Sequence, residues 1–522
     1  MAWHAGTATG AHDLVAKIVQ MATSKHVSAV AINAAGTGYT VGDTLTVPHA
    51  GGLLSATAEV LTVGGSGEVT SIKLRNMGAY SNRLATATVS ANGTNYVVGD
   101  ILEVAGGTST EKARLRVATL TGSGVATVTI YEGGGAYSAA PSGTLTTTLV
   151  GPSTGTGTGA TFTTTMTGLV GTSGVATTGG TGSGCTLDLT LTDTGWSAER
   201  NRNNYSFNGV NNEKEIVLKG TSGGGDHPYI GFRTYTATVG PDTRYGVLLI
   251  GMTAHNSATA MSLQQDVSTS TPADNLPLVP LFNTSMPFWF SVNGRKIYAQ
   301  IRTDGGAIDS YQNLYAGLLN PMGTQTESPY PLVLCGSSSK QNEKPDSAAD
   351  TNTGISEARA SASNACPMYM FEISDRSYQQ LFNVNAGTAL ATTRGVWPLF
   401  QGANTTTSQD IISDDGPLAW NTTVWLANGG VATRLVYPTS DPGDDPGLLW
   451  PLTVYSTANG ATQGALTFLH GELDGMFWVS GTKSDGSRID PQDTFTIGSD
   501  RYRVFPCAHR RERYSFYCVK EA

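Results

Sequence analysis

Charge of either sign is scarce in this sequence, and positive charge is the scarcer of the two. Lys and Arg total 31 and Asp and Glu total 40 among 522 residues, so that 14% of the chain is charged. An ordinary soluble domain has about 25%. The formal net charge is −9, whereas a protein that binds a phosphate backbone needs clustered Lys and Arg. We therefore expect no nucleic-acid partner.

Long apolar runs and paired cysteines are also missing. No apolar run reaches the about 18 residues of a membrane-spanning helix, so no membrane span is predicted. The opening residues Met1–Gly6 lack a basic region followed by an apolar stretch, so no secretory signal is expected. The five cysteines are scattered and form no C-x-x-C pair. This usage favours reduced folding in a cytoplasm and indicates neither a zinc site nor a thioredoxin-like site.

Aromatic residues are nearly absent from the first third of the chain. The sequence has 8 Trp, 20 Tyr and 14 Phe, but residues 1–190 hold only seven of them. The same region is rich in Gly and Thr. This shift in composition predicts a boundary near residue 190, with a thin β structure over residues 27–190 and an aromatic-rich globular β domain over residues 191–522.

A short helix is predicted near the start of the chain. Leu14, Ile18 and Met21 follow helical spacing, and Thr9 is a suitable N-cap. A helix this short is marginal alone, so its apolar face must dock on something. We interpret residues 1–26 as a helical docking segment.

An internal repeat with a period of 57 residues follows the helix. Three blocks recur in one register, which is much stronger than a single motif. The blocks are Tyr39-Thr-Val-Gly42-Asp43 with Tyr96-Val-Val-Gly99-Asp100, Gly65–Gly67 with Gly122–Gly124, and Gly78-Ala-Tyr80-Ser with Gly135-Ala-Tyr137-Ser. Residues 151–184 resemble a decayed third copy through Gly174-Val-Ala-Thr177.

Each copy has the pattern of a small antiparallel β module. β-Branched residues alternate with small ones, the Gly-Asp pairs suit turns, and the tyrosines are the large side chains available to fill a core. The expected unit is roughly 55 residues long and stacks on its neighbour, with flat edges covered by neighbouring subunits or an added strand. The alternative is a flexible Gly/Ser/Thr linker, but linkers do not keep a fixed register.

The second part of the chain reads as short strands separated by turns, in a larger antiparallel β-sandwich-like domain. Asn293-Gly294 is a strong hairpin signal, and the chain's last two strands, near residues 501–507 and 513–520, form another predicted hairpin. Residues 337–364 are polar and are predicted to form a long surface loop. The overall prediction is a mainly β fold.

Catalytic motifs are weak in this sequence. Gly220-Thr-Ser222-Gly-Gly with the nearby His227 matches a nucleophile elbow, but the glycines and proline that follow forbid the helix such an elbow needs. Glu472 and Asp474 are a candidate carboxylate pair for sugar hydrolysis, although a turn before a strand is the commoner meaning of such residues. The acidic residues 441–447 and the pair Asp226-His227 match no metal motif. We predict no enzyme, cofactor or metal.

Tryptophan offers one binding hypothesis. Most of the eight tryptophans lie after residue 190, where exposed rings would form a platform for sugars. Tryptophans embedded in strands are more often core residues, so we favour the core interpretation.

The repeat resembles β modules of tailed-bacteriophage tail and fibre proteins. The resemblance is carried by Gly36-Thr-Gly38-Tyr39-Thr-Val-Gly42-Asp43, which the second copy repeats with Asn95 in place of Gly38. Segments around Gly6–Thr9, Tyr229–Tyr235, Met286–Phe290 and Ser328–Leu332 are also similar to phage virion proteins. In such proteins a short N-terminal helix leads quickly to a Trp strand. The resemblance therefore implies that Trp196 belongs to that strand and that residues 27–190 are an inserted block.

What the resemblance implies is a structural role in the virion. The expected protein is tail-associated, in the baseplate, tail tip, fibre or fibre attachment, and is assembled in the host cytoplasm as a homo-oligomer. Its partners would be other virion proteins. The alternatives are a collar, neck or capsid decoration protein, and a module that binds a host-surface glycan.

Overall fold

The computed structural model describes most of the first 322 residues and separate segments after them. The described ranges are 2–48, 54–109, 112–135, 137–150, 153–167, 171–207, 210–221, 227–239, 241–268, 277–304, 309–322, 331–337, 368–372, 376–380, 393–397, 449–458, 466–479, 489–498, 500–506 and 516–521. The predicted mainly β fold is confirmed, because these residues form antiparallel sheets and one α-helix. The predicted polar loop 337–364 lies almost wholly outside them.

The elements are numbered in chain order. The first two are β1 (Ala2–Thr9) and α1 (Gly10–Ala22). The next strands are β2 (Lys25–Thr37), β3 (Thr44–Val47), β4 (Ala56–Val63), β5 (Val69–Met77), β6 (Leu84–Thr94), β7 (Ile101–Val104), β8 (Arg114–Thr121), β9 (Gly124–Glu132), β10 (Thr144–Val150), β11 (Thr158–Met166), β12 (Val175–Ala176) and β13 (Ser183–Asp193). Those that follow are β14 (Ser197–Phe207), β15 (Val210–Lys219), β16 (Tyr229–Val239), β17 (Asp242–Met252), a 3-10 turn (Met261–Leu263), β18 (Leu278–Leu281), β19 (Ser285–Asn293), β20 (Lys296–Asp304), β21 (Asp309–Leu318), β22 (Asn320–Pro321), β23 (Leu332–Cys335), β24 (Met368–Glu372), β25 (Ser377–Gln380), β26 (Thr393–Trp397), β27 (Leu449–Ala458), β28 (Leu466–Val479), β29 (Thr494–Ile497), β30 (Asp500–Pro506) and β31 (Phe516–Lys520).

The body of the molecule, which we define as residues 2–22 and those from 197 onward, is built around one central sheet. That sheet has the strand order β1-β19-β20-β21-β23-β24-β25. One of its faces packs on α1 and on the sheet β14–β18, and its other face packs on the sheet that contains β27, β28, β30 and β31. The sandwich-like domain therefore contains three stacked sheets.

Strand β19 shows how the central sheet serves two cores. Phe288 and Phe290 point to the side of α1, whereas Trp289 between them points to the opposite core. Successive side chains of a strand lie on opposite faces, so a strand buried on both sides must be apolar at consecutive positions. The run Met286–Phe290 has this character. The following hairpin is confirmed, with Asn293 paired to Lys296.

The predicted N-terminal helix is present, but its environment differs from the prediction. Leu14, Ile18 and Met21 are fully buried in the core between the central sheet and β15–β17. The apolar face is thus covered by this same chain, and the docking role assigned to it from the sequence is wrong. At the helix start the Thr9 side chain makes no cap. Instead, the backbone N–H of Thr9 donates to the Asp13 carboxylate at 2.8 Å.

Residues 25–193 form an insert that leaves and re-enters the body at one place. Its first and last strands, β2 and β13, pair along their length, and Lys25 lies opposite Asp193. Inside the insert lies a second, nested unit. Its ends also meet, because the Thr167 N–H donates to the Arg83 carbonyl at 2.8 Å. The chain thus starts the first unit, completes the second, and then returns to finish the first.

Each unit is a small barrel of six strands around its own core. The second barrel has the order β6-β11-β10-β7-β8-β9, and β9 lies beside β6. The first has the equivalent order β2-β13-β12-β3-β4-β5, in which β12 meets β3 through Thr46 and Thr178 and β5 lies beside β2. The first and last strands of each order therefore lie side by side, which gives each unit the outline of a small barrel. The predicted third copy is wrong, because β10–β11 and β12–β13 close the two barrels.

Candidate functional site

The Gly-Asp turn of each repeat fastens two distant segments of its barrel. In the first barrel, the Asp43 carboxylate accepts the Thr40 N–H at 2.9 Å and both the N–H and the hydroxyl of Thr181, at 3.0 and 2.7 Å. These bonds hold the Asp43 pKa down to about 2, with the Thr40 N–H as the largest cause. Asp43 therefore ties the turn to the strand pair that closes the barrel.

The second barrel repeats this arrangement with its own residues. Asp100 accepts the Val97 N–H at 2.8 Å, and its other oxygen accepts the N–H groups of Thr154 and Gly155 at 3.1 and 3.0 Å. In both turns the glycine before the aspartate has a positive φ, +91° for Gly42 and +98° for Gly99, which an L side chain rarely adopts. We call each of these turns, with its aspartate and its bonded partners, a clasp.

Two tyrosines per barrel hold buried backbone N–H groups. The Tyr80 hydroxyl accepts the Ala56 N–H, and the Tyr137 hydroxyl accepts the Ala113 N–H, both at 2.7 Å and 57 residues apart. All four tyrosines predicted to fill the cores are buried: Tyr39, Tyr80, Tyr96 and Tyr137. They lie in two separate barrels, so the structure does not bring them into one site.

Tyr39 and Tyr96 explain the Gly-Thr repeats of the closing strands. Their hydroxyls accept the N–H groups of Cys185 and Ala160, at 3.3 and 3.2 Å. A Cβ placed on Gly157 would stand 2.1 Å from the Tyr96 ring, so only glycine fits there. The stretch Gly155–Gly159 is therefore a packed strand entry rather than a flexible linker.

A valine lies exposed at the tip of each clasp. Val41 and Val98 occupy the same position of the repeat, and their exposed fractions are 64% and 58%. Val97 beside the second is 44% exposed. Isolated surface valines are ordinary, but the two barrels present the same side chain at equivalent ends. We call Val41 and Val98 the tip valines.

A buried ionic network joins the second barrel to the body. Glu132, at the end of β9, bonds to Arg114 at 2.9 Å and to Lys214 of β15, and His12 of α1 lies 3.4 Å away. Arg114 also donates to the Asn201 carbonyl of β14 at 3.2 Å. Because Glu132 and Lys214 are both buried, removing either side chain would leave the other as an uncompensated buried charge.

Sequence reasoning missed this network, although the repeat contained a signal for it. Arg114 and Glu132 are 57 residues after Thr57 and Arg75, so the two copies differ in charge at these positions. The neutral Thr57 is replaced by Arg114 and the positive Arg75 by Glu132, and such a change of charge between copies of a repeat indicates that the two copies have different neighbours.

The catalytic candidates from the sequence are not assembled into a site in the described residues. Ser222 and Asp226 lie outside them, as do residues 441–447, and the His227 ring bonds to the Gly220 carbonyl at 3.0 Å. Glu472 and Asp474 are within the continuous strand β28, so the expected turn is wrong. The Asp474 carboxylate accepts the Asn293 amide at 2.5 Å and lies 3.9 Å from the buried Lys296 ammonium.

Metal-binding clusters and membrane-spanning helices are absent from the described residues. In the described ranges, no group of three or more His, Cys, Asp or Glu could hold a metal ion, and no helix is long and apolar enough to cross a membrane. The tryptophan side chains that can be described, those of Trp3, Trp196 and Trp289, are buried. This agrees with the core interpretation for Trp289, while the side chains of the later tryptophans named by the sugar hypothesis lie outside the described residues.

No protein-family model matches the chain, and the curated proteins contain no significant match.

Proposed function

We propose that this chain is a structural component of a tailed-phage virion, associated with the tail in the baseplate, tail tip, fibre or fibre attachment. It acts by homo-oligomeric assembly and by docking to other virion proteins. The proposal starts from the resemblance of the Gly-Tyr-x-x-Gly-Asp repeats. The structure adds a physical basis for docking that differs from the N-terminal helix, which is buried.

The observation that carries the docking proposal is the pair of tip valines on equivalent barrel ends. Each tip is held by a clasp, and the second barrel is fixed to the body through Glu132 and Lys214. A rigid surface loses little conformational entropy on binding. Two equivalent apolar tips on one chain are therefore suited to contact a neighbouring protein at two points, and every copy of the chain in a symmetric assembly would present them.

Two alternatives belong to the same proposal. A collar, neck or capsid decoration protein would use the same rigid arm against a different neighbour. A glycan-binding module would instead need exposed aromatic rings in a shallow groove, so sugar binding that survives removal of both barrels would favour it.

The experiment is quantitative mass spectrometry of gradient-purified particles assembled with the wild-type chain or with variants. We expect the wild-type chain at a fixed copy number per particle, and a several-fold loss of incorporation for the double variant Val41→Asp, Val98→Asp. Leu263→Asp is the matched control, since Leu263 is 73% exposed on the body and should leave incorporation unchanged. Absence of the wild-type chain from purified particles would contradict the proposal.

A further inference from the structure

Two buried histidines meet where the first barrel joins the body. His4 belongs to β1 in the central sheet, and His26 belongs to β2 at the start of the insert. Their exposed fractions are 0% and 2%, and His4 Nε2 lies 3.0 Å from His26 Nδ1. The two rings are tilted, with centroids 4.8 Å apart. Neither residue takes part in the clasps or in the Glu132 network.

The remaining ring nitrogens contact two further segments. His4 Nδ1 lies 3.0 Å from Asn76 Oδ1, close to the end of β5. His26 Nδ1 lies 2.5 Å from the Gly78 carbonyl, and His26 Nε2 lies 2.6 Å from the Met21 carbonyl in the last turn of α1. We call the two histidines, Asn76 and these two carbonyls the junction group. It joins the body, the helix and the first barrel at one point.

The hydrogen-bond roles set a limit on the protons that this group can hold. Carbonyl oxygens only accept, so His4 can place a proton on Nδ1 against the amide oxygen of Asn76, which leaves its Nε2 as an acceptor. Each ring nitrogen of His26 faces a carbonyl oxygen. A His26 ring that takes up one proton carries an N–H on both nitrogens, and each N–H then has an acceptor. A further proton on His4 Nε2 would place two N–H groups against each other at 3.0 Å, with no acceptor between them.

The surroundings oppose charge on the pair. Burial is the main reason that the pKa of His4 falls well below its usual value, and His26 lowers it further. Burial likewise lowers the pKa of His26. Among the described residues, the charged group that faces His26 is Asp193 on β13, which favours the protonated ring. Asp193 also forms an ion pair with Lys25 at 3.0 Å, which weakens the stabilisation that its carboxylate gives to a protonated His26 ring.

We propose that the junction group is an acid-sensitive latch, which holds the first barrel on the body while His4 is neutral and opens when His4 Nε2 takes up a proton. Opening separates the His26 ring from the Gly78 and Met21 carbonyls and lets water reach both histidines. The insert would then be held by its two chain crossings, by the Glu132 network and by the packing of Leu54 and Ala79 on the body core. This inference stands independently of the proposed virion role.

The test is hydrogen–deuterium exchange of the full chain at pH 7.5 and pH 5.0, corrected for intrinsic rates. The reporters are the amides of Lys25 and Tyr80, which bond to each other's carbonyls at 3.0 and 2.8 Å beside the junction group. We expect their opening to rise by up to roughly 30-fold at pH 5.0, because each pH unit below about 6.5 changes the equilibrium by at most about tenfold per proton. Unchanged protection would overturn the latch.

A matched pair of variants assigns the effect to His4. His4→Gln keeps polar atoms at the site but cannot take up a proton, so the acid response of Lys25 and Tyr80 should disappear. His255→Gln is the control, since His255 is a partly buried histidine outside the junction whose pKa is lowered to about 4. A full acid response in His4→Gln would contradict the proposal.

A second measurement keeps the proposal testable if His4→Gln does not fold. The wild-type chain labelled with ¹³C at the histidine Cε1 positions reports each ring's titration by NMR. We expect the His4 ring to titrate below pH 6.5 at the pH where the reporter amides open, with line broadening of both histidine signals there. Titration of His4 while these amides stay protected would refute the coupling.

Discussion

Lys25 and Asp193 lie opposite each other on the two strands by which the insert leaves and rejoins the body, and their side chains form an ion pair at 3.0 Å. They are 168 residues apart in the chain. A second junction of this kind lies at Arg83 and Thr167, where the nested barrel begins and ends. A domain whose two ends lie close together can be inserted into another domain without disrupting the fold of that domain.

The second barrel should be removable without unfolding the rest. Replacing residues 84–166 with a short Gly-Ser link would join Arg83 to Thr167, which already touch. We expect a monodisperse product by size-exclusion chromatography with a β-type circular dichroism spectrum, but with reduced thermal stability because buried Lys214 loses Glu132. Adding Lys214→Met should recover part of that loss. Aggregation of both shortened chains would show that the first barrel depends on the second.

Removing one charged partner of the ionic network should lower the unfolding free energy strongly. Glu132→Gln leaves the buried Lys214 ammonium without its carboxylate, whereas Arg114 keeps its ion pair with Glu103 at 3.1 Å. We expect a loss of about 3–5 kcal/mol in unfolding free energy. The double variant Glu132→Gln, Lys214→Met should lose less than the single one, since one buried charge is removed with its partner. Urea unfolding of the three chains measures this coupling, and strictly additive losses would contradict it.

The tyrosine hydroxyls of the two barrels should contribute similar amounts to the unfolding free energy. Tyr80→Phe and Tyr137→Phe each leave a buried N–H, that of Ala56 or Ala113, without this acceptor. We expect a loss of about 1–3 kcal/mol for each, measured by denaturant unfolding. Tyr245→Phe, at a half-buried site in the body, is the control and should change stability much less.

Asp43 should make the first barrel sensitive to acid. Its pKa is lowered to about 2 in the folded chain, compared with about 3.9 when unfolded, so the folded state binds the proton less well. The stabilisation is therefore fully present above about pH 4 and is lost as the pH falls towards 2. In urea unfolding at pH 5, 4, 3 and 2, the difference between wild type and Asp43→Asn should shrink as the pH falls. A difference that stays constant would contradict the carboxylate's role.

Local patterns in the sequence were sufficient to predict the helix and one hairpin. The helical spacing of Leu14 and Ile18 predicted α1, and Asn293-Gly294 predicted the hairpin between β19 and β20. Strand β1 was missed because Ala2–Thr9 is made largely of small residues, which carry no strong strand signal. Its place in the sheet is set by pairing with β19, a partner far along the chain.

The repeat period predicted equivalent residues but not what closes each unit. The partners of Asp43 and Asp100 come from residues 181 and 154–155, whose spacing from the repeats differs between the two copies. Nesting removes these strands from the 57-residue register, so they resembled a decayed copy. The junction of His4 with His26 was likewise invisible, since neither histidine belongs to a motif and only the folded chain brings them together.

The most direct test of the proposed role is immunogold electron microscopy of intact tailed particles, with an antibody raised against the body of the folded chain. The account predicts gold at the tail. Gold over the neck or head would move the protein to the collar or decoration alternative. No gold on intact or disrupted particles, from an antibody shown to bind the isolated chain, would contradict a structural role in the virion.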